Sequence, residues 1–266
     1  ASLGSLVNRG RFSNTIFDLG GEIDFRTLKS TSLGSKYRST NTIFSYFQVA
    51  FPIASKKMEK KGINWGLSFG LRPVTRIGYK VEKNERLTGI DSLSSLFEGS
   101  GGVNQFNLGT GFRIKNFSIG FTSGYTFANR SYSTEKVFIN DTVTYYKSHT
   151  EAQSHFGGIF LDAGVQYMIP LKGNSFIKLG AYANFQQKTK GKQDKIDETF
   201  VFDGNGGIAA IDTVEYKKAS SGTVILPATY GFGFTYNSKN GSWLTGADVE
   251  MTTWDNYRYF NQADNV

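Results

Sequence analysis

The side chains able to do chemistry in this sequence fall on alternate positions. Asp18, Glu22, Asp24 and Arg26 are all even-numbered, and so are Arg72, Arg76 and Lys80. In an extended strand such positions share one face, so each group forms a charged row. Gln105, Asp248 and Glu250 occupy the corresponding polar face of later stretches. Two kinds of chemistry suit such rows. They form either a polar ladder that guides a carboxylate, or a set of interior salt bridges and hydrogen bonds that hold a narrow lumen shut. Charges enclosed by protein need partners in either case, and mutual pairing meets that need without any ligand.

No catalytic constellation joins these rows. The chain has no Cys, which excludes a thiol nucleophile, a zinc ribbon and a disulfide scaffold. Its two histidines, His149 and His155, cannot make a three-His metal site, and two His in or near one loop do not make a triad. Gly99-Ser100-Gly101-Gly102 is glycine-rich, but no helical pattern follows it to cradle a phosphate. A strand-entry turn or bulge suits it better. The sequence therefore reads as a non-enzyme with no cofactor and no metal. Its formal net charge is +8, from Lys+Arg 30 against Asp+Glu 22. The cations are spread along the chain. Their one cluster, Lys56, Lys57, Lys60 and Lys61, is split by Glu59 and reads as a solvated turn. Nucleic acid is not an expected partner.

The elements that carry the rows follow from period-2 alternation. Phe17, Leu19, Ile23 and Phe25 oppose Asp18, Gly20, Glu22, Asp24 and Arg26. Phe47, Val49, Phe51 and Ile53 form the next apolar face. Trp65, Leu67, Phe69 and Leu71, continuing to Ile77 and Tyr79, oppose Gly66, Ser68, Gly70, Arg72, Arg76 and Lys80. The pattern repeats around residues 105–114, 117–127, 159–169, 177–185, 230–236 and 243–251, which makes nine strands. The fold class is all-β and antiparallel.

A soluble sandwich also alternates, with its apolar face inward. Two features favour a transmembrane barrel with that face outward. The second face is rich in Gly, Ser, Thr, Asn and isolated charges, as a crowded polar lumen requires. The connections also alternate in length. Lys115-Asn116, Lys172-Gly173-Asn174 and 237–242 are tight, and the turn after Ile53 is moderate, whereas 27–41, 83–102, 129–152 and 187–222 are long. Short periplasmic turns and long surface loops are the outer-membrane pattern. Trp65, Phe117, Phe176 and Trp243 open the strands that leave the short turns, where an aromatic girdle belongs. The expected location is therefore the Gram-negative outer membrane, crossed several times. An odd strand count leaves an open edge that lipid does not tolerate. The expectation is one barrel domain over residues 1–266, incomplete at both ends.

Several motifs resemble those of FadL-like (OMPP1/TodX-type) outer-membrane proteins of Bacteroidota. They are Trp65 to Pro73 running on to Ile77-Gly78-Tyr79, Glu98 to Asn104, and Leu226 to Gly233 followed by Trp243 and Gly246-Ala247-Asp248. The opening Ala1-Ser2 resembles the end of that family's N-terminal hatch. The resemblance covers essentially the whole chain. It implies a barrel of about 14 strands that passes long-chain fatty acids or other hydrophobic small molecules by diffusion, with its hatch and closing strands outside this sequence. Some members of the broader group act instead as non-conducting barrel subunits of secretion or assembly complexes, which is the alternative function. Expected partners are outer-membrane lipid and lipopolysaccharide, a hydrophobic ligand, and other outer-membrane proteins.

The long loops carry one further pattern. Asp91-Ser92-Leu93, Asp141-Thr142-Val143 and Asp212-Thr213-Val214 each fall in a different loop. They resemble the Asp-Ser/Thr-apolar sequon of Bacteroidota O-glycosylation, which would make Ser92, Thr142 and Thr213 acceptors. Plain turn chemistry accounts for the same residues, since Asp opens turns and β-branched residues start the returning strand. Two loops are long enough for hairpin arms: Val137-Phe138-Ile139 against Val143-Thr144-Tyr145, and Phe200-Val201-Phe202 against Ile211-Asp212-Thr213. Their apolar residues require burial on each other, on glycan or on a partner, because a lone hairpin is marginal in water.

Overall fold

Alternation of this kind extends the backbone and leaves each strand needing a neighbour on both sides, and one antiparallel sheet supplies them. The computed structural model describes residues 15–29, 36–53, 55–86, 92–139, 145–203 and 207–263. Its elements are β1 (Ile16–Lys29), β2 (Lys36–Ile53), a short helix α1 (Lys56–Lys60), β3 (Ile63–Arg86), β4 (Ser92–Ile114), β5 (Phe117–Phe138), β6 (Lys147–Pro170), β7 (Phe176–Asn184), β8 (Gln187–Phe202), β9 (Ile208–Leu226), β10 (Thr229–Asn237) and β11 (Leu244–Thr252).

The strand order is β1-β2-β3-β4-β5-β6-β7-β10-β11, with β8 between β6 and β9 to one side of that path. The nine strands of the path are the nine read from alternation. The two extra strands are continuations. β6 pairs with β7 up to Asp162↔Asn184 and with β8 from Gly157↔Lys190 onward, so β7 and β8 form one long strand broken at Phe185-Gln186. β9 and β10 form a second, broken at Pro227-Ala228, where proline withholds a ladder donor.

Burial along the path is inverted relative to a soluble protein. Ser68, Gln105, Asn107 and Thr126 are buried on the concave face, while Phe17, Ile23, Phe121 and Leu161 stand exposed on the convex one. Leu67 and Phe69, on the same convex alternation, are half-buried. β7, β10 and β11 each have nine residues, the length a tilted strand needs to cross a bilayer. The sheet is open: β1 and β11 each pair on one side only among the described residues. No helix is long and apolar enough to cross a membrane among those residues.

The tight turns lie where expected, with Lys115 (φ 54) and Gly173 (φ 74) at two of them. The long connections differ from expectation, because most of their length is strand. β3, β4, β5 and β6 run past the nine-residue zone and join β8 and β9 in a six-stranded wing. Val137 and Phe138 pair with Ser94 and Leu93 of β4 on one side. Residues 143 and 144 lie outside the described residues, while the Tyr145 ring lies 4.8 Å from that of Phe138. The second arm forms in a shifted register, Phe200↔Ala210 and Phe202↔Ile208. Neighbouring arms complete each other's backbone ladders, which a lone hairpin cannot do.

Candidate functional site

The concave face forms a trough of about 1180 Å³ lined from β1 to β7, β10 and β11. Of the charged rows, it receives Asp18, Glu22, Arg72, Arg76 and Asp248. The remaining members lie off its lining. Asp24 and Arg26 bond each other along β1, 2.5 Å apart. Lys80 pairs with Glu98 in the wing, beyond a bulge between Pro73 and Thr75 that leaves Val74 without a partner. Glu250 accepts a hydrogen bond from the Tyr182 hydroxyl, joining β11 to β7.

Arg72 and Gln105 organise the interior. Arg72 lies 3.7 Å from the Asp162 carboxylate and donates to Gln105 Oε1 at 3.1 Å. Gln105 Nε2 donates to Thr126 Oγ1 at 3.1 Å, and Thr126 donates to Gln187 Oε1 at 3.0 Å. The chain crosses β6, β3, β4, β5 and β8, and its central members are enclosed: Gln105 is 5% exposed and Thr126 0%. On the other flank, Arg76 donates to Glu22 at 3.2 Å and to the Phe44 carbonyl at 2.9 Å. That contact bridges β3 to the β1–β2 hairpin where β2 and β3 no longer pair. Tyr46 donates to Asp18. The inner charges are thus largely matched to one another, the arrangement of a braced lumen.

At its wing end, the trough's face is crossed by the segment that follows β11. Ile225 and Arg258 exchange backbone hydrogen bonds at 2.8 and 3.2 Å, and Asn261 N–H donates to Thr223 O at 3.0 Å. Tyr259 shares a 2.7 Å hydrogen bond with Ser154 and sets its ring edge-on to Phe156. The Arg130 guanidinium lies 5.2 Å and 5.5 Å from those two rings, a cation–π contact favoured where water is excluded. Phe260 rests on the paired glycines Gly191 and Gly222, and a Cβ on Gly222 would come within 2.5 Å of its ring. Val103, Ala128, Phe156 and Val224 complete this small apolar core.

Sequence reasoning missed this strap and three of the five members of the interior chain. Asp162 and Thr126 sat on the polar side of their alternations without being singled out, and Gln187 fell in a stretch read as loop. Tyr259 and Phe260 carried no period to read. Of the glycosylation candidates, Thr213 is exposed on β9, Ser92 is half-buried at the start of β4, and Thr142 lies outside the described residues. Among the described residues no group of three or more His, Cys, Asp or Glu could hold a metal ion.

An antiparallel sheet with an apolar convex face, a braced polar interior and short turns at one end is the wall of an outer-membrane β-barrel. Comparison with protein families makes the assignment specific: the BamG family model matches residues 2–266, and the chain belongs to that family. The FadL-like resemblance is thereby corrected, since BamG is a family distinct from the FadL-like transporters. No curated protein and no solved structure matches the chain. Family membership associates the protein with the outer membrane and with other outer-membrane proteins of an assembly complex.

Proposed function

We propose that this protein is a non-conducting barrel subunit of an outer-membrane assembly complex, anchored by its wall and engaging a partner protein through its wing. The observation that carries this reading is the outer edge of β9. That strand pairs with β8 on one side, and its other edge is free from Ile208 to Gly222 among the described residues. Along it, Ile208, Ile211, Val214 and Tyr216 are exposed, Val214 to 74%. An apolar strand edge outside the bilayer is an association site that a lone protein would have to blunt. The matched interior charges and the strap fit a barrel that is braced shut.

The test is co-purification from native membranes. Val214→Lys with Tyr216→Glu should release the protein from the complex while its barrel still resists denaturation in detergent. Purified protein in planar bilayers should carry no current. Retained association in the double variant, or steady conductance by the wild type, would overturn the reading.

A further inference from the structure

The convex face carries a cationic cluster at the level where the wall gives way to the wing. Lys188, Lys190 and Lys192 alternate along β8, all exposed, while Thr189 and Gly191 between them are buried on the concave side. Register fixes the surroundings. Lys190 lies opposite Gly157 and Lys192 opposite His155 of β6, and these in turn face Phe127 and Asn129 of β5. On the other side Lys188 lies opposite Ile225, which itself pairs with Arg258. Phe127 stands level with Lys190, and directly below are Ile159, Leu161 and Tyr125, all exposed on the same face, with Phe185 at the strand break. Ion pairs to a carboxylate involve none of the three lysines among the described residues, and the nearest acid along the strand, Asp194, accepts the Ala219 N–H.

Lysines directly above an aromatic and aliphatic band hold their stems against apolar surface and their ammonium groups at headgroup height. Three of them at every second residue, without carboxylates to neutralise them, form a row of hydrogen-bond donors for an anion carrying several oxygens. We propose that Lys188, Lys190 and Lys192 bind the phosphate groups of an anionic lipid in the outer leaflet, with its acyl chains lying along Ile159, Leu161 and Tyr125. An acidic partner protein would match the charge, but it would not account for the apolar band immediately beneath. The inference rests on the outer-membrane reading with the wing on the cell surface.

Two measurements separate the inference from that reading. The chain has no native Cys, so Lys217→Cys in the wing gives a single labelling site for an impermeant maleimide on intact cells. Labelling only after the outer membrane is opened would overturn the orientation and this site with it. For binding, full-length protein is purified in detergent and its retention of diphosphoryl lipid A is read by native mass spectrometry. The variant Lys188→Gln/Lys190→Gln/Lys192→Gln should retain about tenfold less or lower still, each lysine at the surface contributing to the attraction. Lys195→Gln/Lys217→Gln, farther out along the wing and engaged with Glu215, should retain wild-type amounts. Competition by inorganic phosphate alone at equal concentration should be weak. Unchanged retention in the triple variant, or an equal loss in the Lys195/Lys217 control, would overturn the proposal while leaving the orientation standing. Loss of a co-purifying protein with lipid retention intact would overturn it in favour of a protein partner.

Discussion

The wall and the wing are parts of one sheet, built from the same long strands, yet exposure has opposite meanings in them. In the wall, exposed Phe121, Leu161 and Phe232 meet lipid, and the strand needs no further cover. In the wing, Ile208, Val214 and Tyr216 are as open, but the surrounding medium is water, and their apolar surface calls for protein. Fractional exposure is therefore uninformative until the solvent on that side is known. The strap marks the boundary: below it the concave face is polar and braced, and at it the concave face turns apolar around Phe156 and Val224.

Substitutions placed on both sides of that boundary can break this contrast. The largest effect is expected for Phe121→Arg, which should cost about 2–4 kcal/mol near the bilayer midplane, whereas Val214→Arg in the wing should leave barrel folding unchanged. Urea-driven unfolding in lipid vesicles reads both. Equal costs would mean that the two regions share a solvent.

Next is the interior. Thr126→Val removes the hydroxyl between Gln105 and Gln187 and should cost about 1–3 kcal/mol, since two buried amides lose a partner. Gly222→Val sharpens the boundary itself. Its side chain would occupy the space of the Phe260 ring, so the strap should lift and become open to protease, at about 1–3 kcal/mol if the site is forced to repack. Gly66→Ala is the wall's control, because its nearest neighbour would be the Phe51 carbonyl at 3.8 Å, and no change in stability or protease resistance is expected.

The smallest effect concerns pH and belongs to the wing alone. Lys195 Nζ lies 2.6 Å from Glu215 and 2.9 Å from Asp197, and Lys217 also pairs with Glu215. Hydrogen bonds from Lys195 and then Lys217 draw the Glu215 carboxyl from 4.5 down to about 2, while those from Lys195 to Glu215 and then Asp197 push its own ammonium upward from 10.5. The lowered carboxyl stabilises the arm fully above pH 4.5, and that contribution is lost as pH falls toward about 2. The raised ammonium contributes fully below 10.5 and ceases to do so at higher pH. Amide exchange along β8 and β9 should accordingly quicken at both extremes, slightly because the network is exposed. Protection of the wall strands should stay unchanged over the same range.

How far the sequence was legible follows the same boundary. The wall strands were readable because lipid on one side and a polar lumen on the other impose strict alternation, as in Phe117 to Phe127. The row of charge on β3 was placed on the inner face correctly as far as Arg76, which lines the trough, whereas Lys80, past the bulge at Val74, pairs with Glu98 in the wing. Pro73 hints at an irregularity but does not locate it. Apart from the arm at Phe200 to Phe202, β8 was unreadable for a different reason. Gln187 to Glu198 is almost wholly polar, so no period marks it as strand. Pairing with β6 on one side and β9 on the other makes it one. The strap lay furthest out of reach, since its fit depends on Gly191 and Gly222 meeting in register across two strands.

The two broken strands carry a consequence for how the sheet assembles. With β7–β8 and β9–β10 each taken as one, every hydrogen-bonded neighbour in the sheet is also the next long strand along the chain. Each addition then closes only the short stretch at a hairpin tip, and the entropic charge of closure rises slowly with that length. The hairpin whose tip lies at residues 203–207 can zip from the wing downward, bringing β7 and β10 together last, across the breaks at Phe185-Gln186 and Pro227-Ala228. Growth in this order leaves two unsatisfied edges at every stage, a fixed one on β1 and a moving one on the newest strand.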